Sequence, residues 1–184
     1  NLMAVRGANS FKIIDDNFFG GDLEDDTWLG GFVQAIESEG LEPVLRLSAR
    51  PDDLTQQRCE LLRRAGAVVV AVGGESANSS SLRLFGKGTR PEDGLRAAAM
   101  LQSQGIRCLM NFIPFDPTLS LDGLQRNYDL IAKLSDSCLF HRINGGLWLR
   151  ETDPVVHQLR RMGLAHPPAF PYVPYRYRDC RVAA

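Results

Sequence analysis

No stretch of this 184-residue sequence stays apolar for the roughly 20 positions that a membrane-spanning helix requires. The first residues also lack the charged, apolar and small-residue segments of a secretory signal. These two absences lead to the expectation of a cytoplasmic protein with no membrane partner. Charge of one sign is missing as well: 21 Lys and Arg stand against 22 Asp and Glu, spread along the chain rather than gathered into a basic stripe. Nucleic acid is therefore not expected as a partner. The four cysteines, Cys59, Cys108, Cys138 and Cys180, are far apart and form neither CxxC nor CxxxCxxC. That excludes a local zinc or iron-sulfur loop in this sequence, so no metal ligand is expected from it. Cys108 and Cys138 fall in apolar segments and read as small hydrophobes. No glycine-rich phosphate cradle opens a helix, Gly73-Gly74-Glu75-Ser76 is not a nucleophile elbow, and no Ser-His-Asp set is legible among three histidines. No catalytic residue is assigned on this basis.

What is present is a chain 44% hydrophobic and 23% charged, enough for one sizeable core. Short apolar segments alternate with segments of helical periodicity. Phe11 to Ile14 reads as a strand, followed by a helix carrying Trp28, Leu29, Phe32, Val33 and Ile36 that Gly40 ends. Pro43-Val44-Leu45 opens a second strand, and a helix capped at Asp52 or Asp53 places Leu54, Leu61, Leu62 and Ala65 on one face before Gly66. Ala67 to Val72 is a continuous apolar, largely β-branched run, the mark of a strand covered on both faces. A loop rich in Ser, Asn and Gly, Glu75 to Arg90, leads to Pro91 at a first helical position, with Leu95, Ala98 and Leu101 as the apolar stripe. A fourth strand runs from Ile106 to Ile113, and Ser120 caps a helix with Leu121, Leu124, Tyr128, Ile131 and Leu134. The fifth strand is Cys138 to Ile143.

Repeated strand-helix units force parallel pairing through right-handed crossovers. The fold class predicted is α/β, a partial TIM-like (βα) barrel of parallel strands, with an irregular Pro/Tyr-rich C-terminal tail. Pro154 to Met162 reads as one more helix. After it, Pro167, Pro168, Pro171 and Pro174 interleave with Phe170, Tyr172, Tyr175 and Tyr177, a composition expected to form an extended strap over apolar surface. The domain reading is therefore a barrel over 1–150 and a helix with extended tail over 151–184. Polar residues crowd the carboxyl ends of the strands, where parallel α/β folds build their sites. These are Asp15-Asp16-Asn17, Arg46-Leu47-Ser48-Ala49-Arg50, Glu75-Ser76, Asn111 to Asp116, and His141-Arg142.

In register, the series Ile13-Ile14-Asp15-Asp16-Asn17-Phe18, Leu45 to Arg50, Leu62-Arg63-Arg64-Ala65-Gly66, Val72-Gly73-Gly74-Glu75-Ser76, Phe85-Gly86-Lys87-Gly88-Thr89 and Gly105 to Pro117 resembles something specific. It resembles the catalytic barrel of radical S-adenosylmethionine (radical SAM) enzymes, in particular the branch that often carries a cobalamin-binding domain ahead of the barrel. Each motif alone is weak, but six in order within strand-helix context are not. The resemblance covers about residues 11 to 134. It implies S-adenosylmethionine lying across the strand ends and a four-iron four-sulfur cluster in the intact protein, with cobalamin as a third cofactor of that branch. The family's cluster loop, CxxxCxxC after the first strand, has no counterpart here. The chain is accordingly expected to correspond to the second to sixth units, as a fragment, a truncation or one half of a split protein, and to be inactive in radical chemistry alone, because that chemistry needs an electron delivered through the cluster.

The resemblance also implies roles. Asp15, Asp16 and Asn17 would meet the methionine amino group, an acceptor set favourable to a cation; the alternative is that Asp16 or Asn17 caps a turn. Arg46, Ser48 and Arg50 share one side of an extended segment and read either as a carboxylate clamp or as an ion-pair group. Glu75, with Ser76, would face the methionine or ribose part of the cofactor, or pair with Arg46 or Arg50. Asn111 and Asp116 would lie near adenine, although Pro114-Phe115-Asp116-Pro117 departs from the family's glycine-rich segment there and Phe115 can equally fill core. His141 and Arg142 are the candidate substrate contacts, the alternative for a lone strand histidine being a hydrogen-bonded core residue, and Ser79, Ser80 and Lys87 belong to the family's lysine-bearing turn or to a solvated loop. The function expected is the cofactor-binding portion of an enzyme acting on a small-molecule or peptide substrate by radical methylation, cyclisation or rearrangement. A non-catalytic scaffold or partner-binding module is the alternative. In either case the amino-terminal strand edge is expected to meet another chain or domain that completes the barrel.

Overall fold

The computed structural model describes residues 6–20, 26–141 and 147–183. Strands β1 (Ser10–Lys12), β2 (Val44–Ala49), β3 (Ala67–Glu75), β4 (Arg107–Phe112) and β5 (Cys138–His141) form one parallel sheet in the order β1-β2-β3-β4-β5. Helices α1 (Thr27–Ser38), α2 (Gln56–Arg64), α3 (Ser79–Leu84), α4 (Pro91–Ser103) and α5 (Leu121–Leu134) lie between the strands in sequence. Helices α6 (Pro154–Arg161) and α7 (Cys180–Ala183) follow. By its contacts the chain divides into two compact units. The first comprises Asn1–Gly73, Glu92–Met110 and Asp136–Leu139, and the second Gly74–Pro91, Asn111–Ser135 and Phe140–Ala184.

In the first unit, β1 pairs with β2 from Ser10↔Val44 to Lys12↔Arg46, and β2 pairs with β3 through Ala49↔Val72. Alternation along β2 is clean: Leu45, Leu47 and Ala49 are buried, whereas Arg46 is exposed and Ser48 half-buried on the other side. Helix α1 turns Leu29, Val33 and Ile36 inward, α2 turns Cys59 and Leu62, and α4 turns Ala97, Ala98 and Leu101. Each full burial of a Leu, Val or Ile side chain here stabilises the fold by about 1.5–3 kcal/mol. Gly66 ends the α2 turn at φ +91, and an added Cβ would stand 2.0 Å from the Pro43 carbonyl oxygen. Only glycine fits that close approach. Cys108 and Cys138 are both buried, and a hydrogen bond between their thiols holds Cys108 above and Cys138 below the ordinary thiol range.

Several boundaries differ from the sequence reading. β1 ends at Lys12, since only the Ile13 amide continues the ladder, donating to the Arg46 carbonyl at 2.8 Å, and Ile14 is 85% exposed. The cap of α2 is Thr55, whose hydroxyl accepts from the Arg58 amide at 3.1 Å; Asp52 and Asp53 lie instead in a short 3₁₀ turn, Pro51–Asp53. The segment read as a loop after Glu75 contains α3. In α5 the buried positions are Gly123, Asn127, Leu130 and Leu134, and Leu121 and Tyr128 are exposed. The stripe is shifted because a polar residue, Asn127, occupies a core position.

In the second unit, Leu84 packs with Leu149, Val156, Leu159, Leu164 and Val173. The tail is not a simple strap. It folds back through isolated antiparallel bridges, Ala165↔Tyr175 and Ala169↔Tyr172, and ends in α7. Of its aromatics, Tyr175 is packed against that cluster, its hydroxyl accepting from the Leu147 amide at 2.8 Å, whereas Phe170 is fully exposed. Proline-enforced turns bring Val173 and Tyr175 inward and leave Phe170 at the tip.

Candidate functional site

Each unit contributes its own group of polar strand-end residues. In the first, the turn after β1 is stitched to the end of β2. The Phe18 amide donates to the Ser48 carbonyl at 2.8 Å, and the Arg50 amide donates to Asn17 Oδ1 at 3.3 Å. Asn17 Nδ2 donates to Asp53 Oδ2 at 2.7 Å and to the Gly20 carbonyl at 3.2 Å. Asn17 is therefore a tie between two turns. Beneath it, Arg58 is nearly buried: Nε donates to Asp26 Oδ1 at 2.6 Å, Nη1 to the Asp53 carbonyl at 2.8 Å, and the guanidinium lies 4.7 Å from the Phe19 ring centroid. Phe18, Phe19, Trp28 and Phe32 pack edge to face around this point. A cation held by two oxygens and a ring fixes the backbone that carries the acidic pair.

Asp15 and Asp16 project from that fixed turn, exposed and without an ion-pair or hydrogen-bond partner for their side chains among the described residues. Arg46 is likewise exposed and unpaired, whereas Arg50 forms a two-point pair with Asp52 at 2.7 and 3.0 Å. That pair raises the Arg50 pKa through the hydrogen bond to Asp52. This unit thus offers free carboxylates and a free guanidinium, the charge pattern that an amino acid zwitterion matches.

The second unit is built differently. Glu75 closes β3 in the left-handed region, at φ +50, and is 8% exposed. Its partner is Lys87, with Nζ 2.9 Å from Oε1, in place of the Arg46 or Arg50 pairing that the sequence left open. Non-glycine residues hold positive φ at a cost of order 1–3 kcal/mol, and such strain clusters at ligand clamps and active sites. The Glu75 carbonyl accepts from the Ile113 amide at 2.7 Å, which brings the Glu75 end beside the segment starting at Asn111.

Ser76 and Asp116 are engaged internally. The Ser76 hydroxyl donates to Asn127 Oδ1 at 3.0 Å, and the same oxygen accepts from the Ala77 amide at 2.8 Å and Asn78 Nδ2 at 3.0 Å. Asn127 Nδ2 donates to the Pro114 carbonyl at 2.7 Å, and Arg126 Nε to Asn78 Oδ1 at 2.9 Å. Asp116, fully buried, accepts from the Ser81 hydroxyl at 2.6 Å and from the Thr118 hydroxyl and amide at 2.6 and 2.8 Å. These side chains fix the loops after β3 and β4. Asn127 is the residue that the sequence reading missed; its signal was a polar side chain on a buried helical stripe. His141 is the last residue of β5, and Arg142 lies outside the described residues.

Among the described residues no group of three or more His, Cys, Asp or Glu side chains is placed to hold a metal ion, and no helix is long and apolar enough to cross a membrane. No protein-family model matches the sequence. Over 70 residues, 38% of this chain and 9% of the other, the sequence is 34% identical to 4'-phospho-dehydrooxetanocin synthase of Priestia megaterium. The fold superposes on OxsB, a cobalamin-dependent S-adenosylmethionine radical enzyme solved with aqua-cobalamin and S-adenosylmethionine bound. The TM-score is 0.79 over 98% of this chain and 33% of that one, at 16% identity. The radical S-adenosylmethionine methyltransferase TsrM from Kitasatospora setae, solved with tryptophan and a cofactor analogue, gives 0.71 over 92% and 34%, at 18% identity. The chain spans about a third of the length of these two proteins. The fold is that of a partial radical SAM barrel, as the motif series implied.

Proposed function

We propose that this chain is the S-adenosylmethionine-binding portion of a radical SAM enzyme of natural-product biosynthesis, working by radical methylation, cyclisation or rearrangement. The observation that carries this reading is the agreement in fold with OxsB over nearly the whole chain, joined to 34% identity over 70 residues with 4'-phospho-dehydrooxetanocin synthase. The first unit fits the amino acid end of that cofactor in charge. Asp15 and Asp16 would accept from its ammonium group, and Arg46 with Ser48 would hold its carboxylate. In the second unit Glu75 is the strand-end carboxylate assigned to the methionine or ribose part, held ready by Lys87, with Asn111 beside adenine. His141 and Arg142 remain the assigned substrate contacts. When bound, the cofactor supplies a sulfonium whose reductive cleavage yields the reactive radical.

The described cysteines do not fit an iron-sulfur cluster: Cys59, Cys108 and Cys138 are buried and Cys180 is exposed on α7. The second reading is a barrel-derived scaffold or partner-binding module. Under both readings another chain or domain pairs with β1, which stands at the sheet edge.

Equilibrium dialysis of the chain against S-adenosylmethionine tests the proposal. Saturable binding, weakened tenfold or more by Asp15→Asn with Asp16→Asn and by Arg46→Gln, is expected. Absence of saturable binding to a folded chain would leave only the scaffold reading.

A further inference from the structure

The second unit also holds a recess of about 350 Å³, lined by none of the residues assigned to the cofactor above. Two of its walls are Arg83, on α3, and Arg178, just before α7. Both arginines are exposed, and neither has an ion-pair or side-chain hydrogen-bond partner among the described residues. Two other arginines of the same unit are paired with carboxylates. Arg160 is clamped by Glu151 at two points of 2.6 Å, and Arg181 by Asp179 at 2.8 and 2.9 Å. Among the described residues no carboxylate lines the recess. The buried Asp116 is satisfied by Ser81 and Thr118 hydrogen bonds, so the two guanidiniums do not serve it.

Two positive side chains facing one cavity repel each other, and a divalent anion relieves that repulsion while using their planar donor forks. Ser80 and Gln158 add a hydroxyl and an amide with no side-chain partner among the described residues, both able to donate. Thr118 also lines the recess, but its hydroxyl proton is directed to Asp116, which leaves its oxygen as an acceptor only. The remaining wall is apolar, formed by Leu84 and Met162, and a bare ion has no use for it. The cavity lies at the lower end of the volume range of small-molecule sites.

We infer that this recess binds a phosphate monoester, with the phosphoryl oxygens between Arg83 and Arg178 and the organic group against Leu84 and Met162. The inference does not rest on the cofactor reading, and its test contains no S-adenosylmethionine. Isothermal titration of the 184-residue chain with phenyl phosphate, inorganic phosphate and benzoate, at low salt, decides it.

Phenyl phosphate is expected to saturate one site, more tightly than inorganic phosphate or benzoate. Arg83→Gln and Arg178→Gln should each weaken it tenfold or more, and Ser80→Ala several-fold. Arg107→Gln, which removes an exposed arginine of the first unit, should leave binding unchanged. Circular dichroism melts confirm that each variant is folded, which is expected because neither recess arginine holds a partner in place. Three results would overturn the inference: no saturable binding by the folded chain, equal weakening by Arg107→Gln, or an affinity for inorganic phosphate or benzoate equal to that for phenyl phosphate.

Discussion

Lys87 Nζ stands 2.9 Å from Glu75 Oε1, and it does so across a backbone that Glu75 holds at φ +50. The Glu75 side chain is 11% exposed and that of Lys87 40%, so the pair is partly screened. Lys87→Met leaves a mostly buried carboxylate without its cation. The expected loss is about 1–2 kcal/mol in urea unfolding, below the value for a fully buried pair. Adding Glu75→Gln should recover most of it. If the double variant is as unstable as the sum of the singles, the two groups are not coupled.

Asn127 offers one oxygen to three donors and one amide to a carbonyl. Asn127→Leu leaves the Ser76 hydroxyl, the Ala77 amide and the Pro114 carbonyl without this partner, whereas Asn78 Nδ2 keeps its bond to the Gly123 carbonyl, and a loss of about 3 kcal/mol is expected. Asn127→Asp keeps the acceptor but sets a second oxygen against the Pro114 carbonyl, so it should rescue little. Thermal melts of the two variants separate a hydrogen-bond hub from simple packing.

Thr55→Ala should lower stability by about 1 kcal/mol, because it removes the side chain that accepts from the Arg58 amide. Asp52→Ala, which breaks only an exposed pair with Arg50, should stay within about 0.5 kcal/mol. The reverse order, seen by chemical denaturation, would restore Asp52 as the cap.

Gly66→Ala should be among the most damaging small substitutions, on the order of 3 kcal/mol, through the forced contact with the Pro43 carbonyl and the positive φ. Gly40→Ala, with φ +60 but open space around it, should be milder. Comparable losses at the two sites would show that conformation rather than close approach dominates.

Burial pushes the Cys59 thiol up from an ordinary value near 9 to about 11. The folded state therefore holds its proton at pH values where the unfolded chain has lost it. Stability from this group is complete below about pH 9 and declines as pH rises toward 11, by roughly 2–3 kcal/mol in all. Cys59→Ala should flatten that alkaline decline relative to the parent in pH-dependent unfolding.

The parallel strand-helix order was legible because its signals are local: β-branched runs at Ala67 to Val72, Pro91 at a helix start, and Gly40, Gly66 and Gly105 at helix ends. Ser120 is the cap that its position before the apolar stripe predicts, its hydroxyl accepting from the Gly123 amide. Failures came where tertiary contacts decide. The stripe of α5 was misplaced because Asn127 lies where a leucine would be expected, and its four partners come from 76–78 and Pro114. Helix α3 escapes a sequence reading because Ser79-Ser80-Ser81 has weak helical preference, yet Leu82 and Leu84 bury there. Among the site residues, the exposure of Asp15 and Asp16 and the engagement of Ser76 and Asp116 depend on who their neighbours are. Residue type alone does not carry that information.

The two compact units interleave along the chain as 1–73, 74–91, 92–110, 111–135, 136–139 and 140–184, so the backbone passes between them five times. Neither can be excised or transplanted as a continuous cassette. A recombinant made with a relative by a single crossover inside this span would inherit mixed halves of both, and only exchanges that move the entire segment, or that match every passage, should give a foldable hybrid.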